Sequence, residues 1–503
     1  MAIKIIMLVV FFSVMIGVGL YCRKHATDVN GFVLGGRNVG PWLTAFAYGT
    51  SYFSAVIFVG YAGQFGWKFG VASTWVGIGN AIIGSLLAWL ILGKRTRTMT
   101  QHLQSKTMPE FFGTRFDSNM LKVVASIIVF IFLIPYTASL YNGLSRLFEM
   151  AFNIDYSVFI VIMAVLTGVY VIAGGYMATA INYFIHGIIM IIGIVAVIMA
   201  VLNSHGGLGE AIDKLALIED TAANASKGDF ASLFGPDPLG LLGVVLLTSL
   251  GTWGLPQMVQ KFYAIKDEKS ITKGTIISTV FALIVAGGCY FLGGFGRLYD
   301  VDVTKVGYDA VVPTMLESLP EVLVAIVLVL VLSASMSTLS SLVLASSSTL
   351  TLDLIKDNII KKMDEKKQVF IMRVFIVIFI AISAIIAVFQ YNTKVAFIAQ
   401  LMGISWGALA GAFLAPFIYS LYWKGVTKLS VIVNFVVGCV IMVVNMIDTL
   451  MTDVNIFPAM LQSPINCGAF TMILGLVIVP VVSLVTPKLS KEKTDEVFKC
   501  YEK

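Results

Sequence analysis

Thirteen long apolar runs follow one another along this chain, near positions 3–22, 42–65, 74–92, 123–147, 156–173, 180–203, 239–260, 274–296, 322–352, 374–391, 395–423, 429–447 and 465–486. About 20 such residues cross the roughly 30 Å hydrocarbon core of a bilayer as one helix. Several runs have full helix length rather than the alternating ten-residue pattern of barrel strands, so helices are expected. Composition agrees: 58% of the 503 residues are hydrophobic and 12% charged, where soluble domains carry about 25% charged residues. The expected fold class is an all-α integral membrane protein with about 13 transmembrane helices. The runs are numbered here as spans 1 to 13.

Basic residues set the orientation, because positive loops are retained in the cytoplasm. Of the 34 Lys and Arg, 26 fall after spans 1, 3, 7, 9, 11 and 13, which is every second connection. The other eight are Lys4, Lys68, Arg146, Lys214, Lys227, Arg297, Lys305 and Lys394, on the opposite side. A cell-membrane location is expected, with the N-terminus outside and the C-terminus cytoplasmic. The net charge of +6 is thereby a topology signal, and no nucleic-acid partner is expected. Span 1 reads as a retained helix, since it is about 20 residues long and no small-residue cleavage site follows. Cys22, Cys289, Cys439, Cys467 and Cys500 have no paired spacing and the four histidines are dispersed, so neither a disulfide framework nor a metal cluster is expected.

The spans carry no Asp, Glu, Lys or Arg well inside them, and His186 is the lone titratable side chain at depth. A proton carrier usually buries a carboxylate or histidine, which leaves His186 as the alternative relay. Any other cation must be held by neutral oxygens. Residues 333–350, SASMSTLSSLVLASSSTL, supply them. On a helix Ala334, Ser337, Thr338 and Ser341 form one stripe, with Ser340 beside it. Ser346, Ser347, Ser348 and Thr349 read as small packing residues that bond back to their own helix. Adjacent hydroxyls at Ser337 and Thr338, together with a freed carbonyl, suit a hard monovalent cation such as Na⁺; a divalent ion would ask for carboxylates.

Freed carbonyls require a broken helix. Span 2 holds Gly49, Thr50, Ser51 and Ser54 in AFAYGTSYFSA, and span 7 holds Gly251, Gly254 and Pro256 in SLGTWGLPQ. Both breaks carry a Gly-Thr pair. The two spans are an odd number apart, so the second copy is inverted, and paired interruptions of this kind point to a transporter's binding site.

Four motifs together resemble the sodium:solute symporter family over essentially the whole chain. They are FVLGGRNVG at 32–40, TMPEFFGTRF at 107–116, SMSTLSS at 335–341 and GLPQMVQKFYAIKDEKS at 254–270, the last similar to the proline and pantothenate branches. The resemblance implies a leucine-transporter-type five-plus-five inverted repeat. It divides the chain into a peripheral helix and loop (1–41), a first repeat of spans 2–6 (42–203) and an extracellular loop (204–238). A second repeat of spans 7–11 (239–423), peripheral spans 12 and 13 (424–486) and a cytoplasmic tail (487–503) follow. It also implies a Na⁺ site from backbone oxygens of Thr50, Phe53 and Ala334 and the hydroxyls of Ser337 and Thr338. Ser340 and Ser341 match serines that hold an additional Na⁺ in some relatives. Those relatives add an aspartate where this chain has Tyr183, and the proline branch has another where this chain has Tyr52, so one Na⁺ per solute is expected.

The solute is expected at mid-membrane between the breaks, where half-helix N-termini attract a carboxylate. Its expected lining is Ser51, Tyr52 and Ser54 of span 2, Tyr136 and Thr137 of span 4, and Trp253, Pro256 and Gln257 of span 7. Tyr136 matches a tyrosine implicated in the proline branch, although its neighbour there is cysteine. Sugar-carrying relatives place a lysine in the span after the second break, and span 8 here has none. A small carboxylate such as proline, a monocarboxylate or a pantothenate-like acid is therefore expected, imported with Na⁺ by alternating access. Na⁺, the solute and the bilayer are the expected partners, and a monomer suffices. The alternatives are a proton-coupled carrier of the same fold, a channel, or a sensor, for which the tail PKLSKEKTDEVFKCYEK is too short. An enzyme is not expected, since no span pairs a nucleophile with a base.

Overall fold

The computed structural model describes residues 2–152, 154–317, 319–360, 363–393, 398–451 and 456–502, and these are helical with no strand among them. By length and hydropathy ten helices qualify as spans, or eleven when the bent pair Pro238–Gly254 and Pro256–Ala264 is one. Two of the continuous stretches are too long to be single crossings. Residues 56–102 and the helix Tyr156–Ser204 run for 47 and 49 residues, about 70 Å at 1.5 Å per residue, against a core of about 30 Å. Each is folded back at a glycine in a conformation that side chains avoid: Gly70 (φ 62, ψ −142) and Gly175 (φ 54, ψ −150).

Packing shows the reversals directly. Along span 8 (Glu268–Gly293), span 2 places Gly49 against Phe281 and Gly66 against Gly293, so the two run parallel. Span 3 instead places Gly77 against Gly287 and Trp89 against Gly274, so it runs antiparallel. Beyond Gly175 the chain returns as span 6. Thr167 before the turn and Gly193 after it both reach the same level of span 9, at Met336 and Leu330. With these turns counted, the expected spans are all present.

The two broken spans share one geometry. Span 2 is Pro41–Tyr52, interrupted at Phe53 (φ −80, ψ 123) before it resumes toward Phe69. Span 7 is interrupted at Leu255 (φ −81, ψ 120), with a bend of 47°. Each break falls four residues after the glycine of its Gly-Thr pair, at Phe53 after Gly49 and at Leu255 after Gly251. The local causes differ. In span 2 the hydroxyls of Thr50 and Ser51 bond back to Phe46 and Ala47 carbonyls and loosen the ladder. In span 7 Pro256 has no N–H to give and disfavours helical backbone at the residue before it.

Span 9 (Glu321–Thr349, continuing as Leu350–Ile355) and span 11 (Ile398–Tyr422) are the central pillars, with 83% and 89% of the residues in an 18-residue apolar stretch of each buried. For span 1 (Ala2–Cys22) that share is 22%, and it lies at the periphery. The serines of span 9 are the small side chains that let spans 2, 4, 6 and 7 close around it.

Candidate cation and solute site

The break at Phe53 faces the middle of span 9. Ser337 donates to the carbonyls of Thr50 at 2.9 Å and Ala334 at 2.8 Å. The Thr338 hydroxyl lies 3.2 Å from the Phe53 and Ala334 carbonyls and 3.4 Å from that of Thr50. Five oxygens from two spans thus converge, and Thr50, Phe53, Ala334, Ser337 and Thr338 are all at most 1% exposed. The helix restarts at Ser54, whose carbonyl takes Ile57 and Phe58 N–H groups at 3.0 Å, and Ser335 caps the Ala55 N–H at 3.1 Å.

The protons at this cluster are fewer than the acceptors. Two hydroxyls hold two protons among five oxygens, and each hydroxyl retains two lone pairs. An oxygen shell at about 2.3–2.6 Å, as around Ca²⁺, places neighbouring oxygens about 3.3–3.7 Å apart. The separations of 2.8–3.4 Å seen here are a few tenths of an ångström shorter. Rotating both hydroxyl protons away and widening the cluster slightly makes a neutral cage for a monovalent cation. Among the described residues no group of three His, Cys, Asp or Glu side chains is placed to hold a metal ion.

Ser340 and Ser341 lie one turn further along span 9 in a different environment. Ser341 Oγ is 2.9 Å from Ser51 Oγ and 2.8 Å from the Tyr183 hydroxyl. It also accepts from the Lys261 ammonium at 2.9 Å. Ser51, expected to line the solute pocket, takes part in this cluster through Ser341. One sequence expectation needs correction here. Lys261, counted among the loop cations, is 2% exposed within the half-helix Pro256–Ala264, so the broken span 7 does contain a buried charge. The half-helix carries on past the last apolar run, and Tyr183 and Tyr176 shelter the lysine with their rings 4.6 and 5.2 Å from Nζ.

Of the other expected residues, Tyr136 reaches toward both breaks. Tyr136 is fully buried, with its hydroxyl beside Ser54 and its ring edge-on to Trp406 at 5.8 Å. Trp406 also covers Gly251 at the second break. Trp253 donates to the Ile83 carbonyl at 2.9 Å, and Thr252 to that of Gly84 at 3.1 Å. Both carbonyls belong to the π-helical stretch Asn80–Leu87, the kind of bulge that frees acceptors at functional sites. Gln257 is 1% exposed with both amide atoms unpartnered, next to Pro256 at the start of the second half-helix. Thr137 bonds back to Leu133 of its own helix at 3.0 Å. The Tyr52 side chain lies outside the described residues. His186, the alternative proton relay, is stacked on Phe11 of span 1 at 5.5 Å. It lines an apolar pocket of about 280 Å³ between spans 1 and 6, so it faces the periphery.

Trp406, Ser335 and Lys261 escaped the sequence reading. The helical period would have flagged Lys261, which stands four residues after Gln257 and so shares its face. Nothing local marks Trp406, and Ser335 opens the SMSTLSS run without standing out within it.

On the side of the connections after spans 1, 3 and 7, side-chain and backbone hydrogen bonds tie the bundle together. Arg37 donates to the carbonyls of Tyr263, Thr100 and Ser105, and the backbone of Val39 exchanges hydrogen bonds with Ala264 and Lys266 at 3.2 and 3.0 Å.

Comparison with known proteins identifies the family and the fold. The sodium:solute symporter family matches residues 32–438. The sodium/proline symporter of Staphylococcus aureus is 29% identical over 97% of this chain and 93% of that protein. A solved Na⁺-coupled sialic acid symporter, substrate-bound and outward-open, superposes with a TM-score of 0.76 at 15% identity, covering 97% of this chain and 99% of that one. A substituted form of the Eremococcus coleocola manganese transporter gives 0.51 at 10% identity over 93% and 95%. These two likenesses are of fold, the leucine-transporter-type inverted repeat. Matched over most of its length and built as a multi-pass membrane protein around two broken helices, the chain belongs to the sodium:solute symporter family and is a sodium-coupled symporter of a small solute, not an enzyme.

Proposed function

We propose that this protein imports a small carboxylate-bearing solute, proline being the first candidate, together with one Na⁺ held by Thr50, Phe53, Ala334, Ser337 and Thr338. The observation that carries the reading is the five-oxygen cluster with only two protons, buried where a broken helix meets span 9. Proline leads because the Staphylococcus aureus relative is a sodium/proline symporter. The half-helices that resume after Phe53 and Leu255 begin inside spans 2 and 7, and their N-terminal dipoles favour a carboxylate without a buried arginine. Ser54, Tyr136, Trp253, Pro256 and Gln257 line that space, with Thr137 behind it. The basic loops orient the N-terminus outside and the C-terminus in the cytoplasm of the cell that bears it.

In the cycle, Na⁺ ties span 2 to span 9 and so orders the first break, which is one wall of the solute pocket. Each ligand then strengthens the other, by about 1–3 kcal/mol for a coupling of this kind. A potential of 100 mV adds about 2.3 kcal/mol per charge moved inward, about fifty-fold accumulation. Release follows when the Arg37 latch opens and Na⁺ leaves to the cytoplasm.

Uptake into proteoliposomes tests the reading. Proline, monocarboxylates, pantothenate and sugars are offered with Na⁺ or K⁺ outside. Na⁺-dependent uptake of one carboxylate, lost in Ser337→Ala/Thr338→Ala, supports it. Undiminished uptake by that variant sinks the site assignment.

A further inference from the structure

Ser340 and Ser341 form the second hydroxyl cluster of span 9, and its proton arrangement differs from that of the first. The Ser51 hydroxyl spends its proton on the Ala47 carbonyl, so toward Ser341, 2.9 Å away, it accepts. Ser341 therefore gives its single proton to Ser51. The Tyr183 hydroxyl, 2.8 Å from Ser341, must then be the donor in that pair, and the Lys261 ammonium at 2.9 Å has only protons to offer. A hydroxyl has one proton and two lone pairs. Ser341 has used all three, and neither lone pair remains for a free ion. Ser340 turns its proton toward its own helix, with the Met336 and Ser337 carbonyls at 2.9 and 3.0 Å, and its Oγ lies 3.3 Å from the Tyr183 hydroxyl.

Lys261 brings to this cluster what a metal ion would bring. It carries one positive charge, and its neighbours are hydroxyl oxygen and the faces of Tyr183 and Tyr176, both of which attract a cation. Its stem anchors it to the inner half-helix of span 7, while its contacts are on spans 6 and 9. Unlike Na⁺ at the first cluster, it cannot dissociate with the cargo.

We propose that the Lys261 ammonium is a tethered cation occupying the Ser340–Ser341 cluster in place of a second Na⁺, and that it thereby sets the coupling at one Na⁺ per solute. This rests on the reading that the first Na⁺ sits at Ser337 and Thr338. The lysine acts as a stoichiometry-determining residue, holding span 7 to spans 6 and 9 through every cycle while the Na⁺ link between spans 2 and 9 forms and breaks.

The test counts ²²Na⁺ bound at saturation per polypeptide of the purified full-length protein, with no solute needed. The expected count is one for the wild type. Lys261→Met/Tyr183→Asp removes the tethered charge and supplies a carboxylate oxygen, and the expected count rises to two. Adding Ser337→Ala/Thr338→Ala lowers each count by one, to none in the wild-type background and to one in the other. A wild-type count of two, which needs no variant to fold, overturns the proposal, as does a count that stays at one in the Lys261→Met/Tyr183→Asp protein. The two readings fail separately: an ion retained after Ser337→Ala/Thr338→Ala refutes the first site, whereas no ion gained on removing Lys261 refutes the tethered cation.

Discussion

Removing a single hydroxyl from the five-oxygen cluster gives the sharpest test of how the cation is held. In Thr338→Ala the helix keeps its backbone, the Ala334 carbonyl stays in place and the Phe53 carbonyl loses the hydroxyl 3.2 Å away. A polar contact to a charged group is worth about 1.5–3 kcal/mol. With 1.36 kcal/mol per decade, losing one of five oxygens weakens Na⁺ binding about 13- to 160-fold. Ser337→Ala removes a hydroxyl shared by Thr50 and Ala334 and belongs in the same range. The two effects will not add, because the oxygens surround one ion. The matched controls are Ser346→Ala and Ser347→Ala, whose hydroxyls bond only to Val343 and Leu344 of their own helix. The assay is the Na⁺ concentration giving half-maximal thermal stabilisation of the purified protein. A shift below threefold in Thr338→Ala, or an equal shift in Ser346→Ala, refutes the reasoning.

Three further outcomes follow from particular contacts. Gln257→Leu relieves a buried amide whose two polar atoms have no partner, so the protein without solute should gain up to about 1–3 kcal/mol while losing solute-induced stabilisation and keeping its Na⁺ response; a variant that still responds to solute removes Gln257 from the pocket. Arg37→Ala loses the bonds to Tyr263, Thr100 and Ser105 and should speed cytoplasmic thiol labelling of Ser348→Cys, above the small cavity lined by Thr107, Pro256 and Gln260; unchanged labelling means the latch lies elsewhere. In the connection between spans 6 and 7 burial raises the Asp220 carboxyl, but the hydrogen bond and charge of Arg297 and the N–H groups of Ala223 and Ala222 outweigh it and hold it below its ordinary 3.8. A depressed carboxyl stabilises the fold above the unfolded value and loses that contribution as pH falls through the folded one. Thermal stability should therefore decline below about pH 4 by under about 1 kcal/mol for this partly exposed pair, and Asp220→Asn should flatten that dependence; an unchanged acid profile contradicts the assignment.

How much was legible beforehand depends on whether the signal was local. Span lengths follow from bilayer thickness, so they could be read directly, and the breaks at Phe53 and Leu255 could be read from Gly-Thr pairs and Pro256. The five-oxygen cluster was reachable because its hydroxyls stand side by side and because the family resemblance supplied the carbonyls. Lys261 was not, since counting charges by loop assumes that a basic residue past the last apolar run is solvated, whereas here rings from span 6 shelter it. The Ser51 contact was hidden for a related reason: which way a hydroxyl points within a short broken helix depends on the facing span, and here it meets Ser341. Trp406 sits 270 residues from its partner Tyr136, and only the fold brings such residues together. His186 looked like the one group able to carry a proton at depth; its place against Phe11 shows that titratability without position says little about coupling.

Linkage between solute and Na⁺ is the central claim, and a single binding measurement reaches it. Proline affinity, or that of whichever carboxylate the uptake panel selects, is measured on the purified protein in NaCl and in KCl at equal ionic strength. The account predicts binding about 5- to 150-fold tighter in Na⁺, the range that a coupling of about 1–3 kcal/mol produces, and no difference between salts in Ser337→Ala/Thr338→Ala. Equal affinity in both salts for the wild-type protein would contradict it.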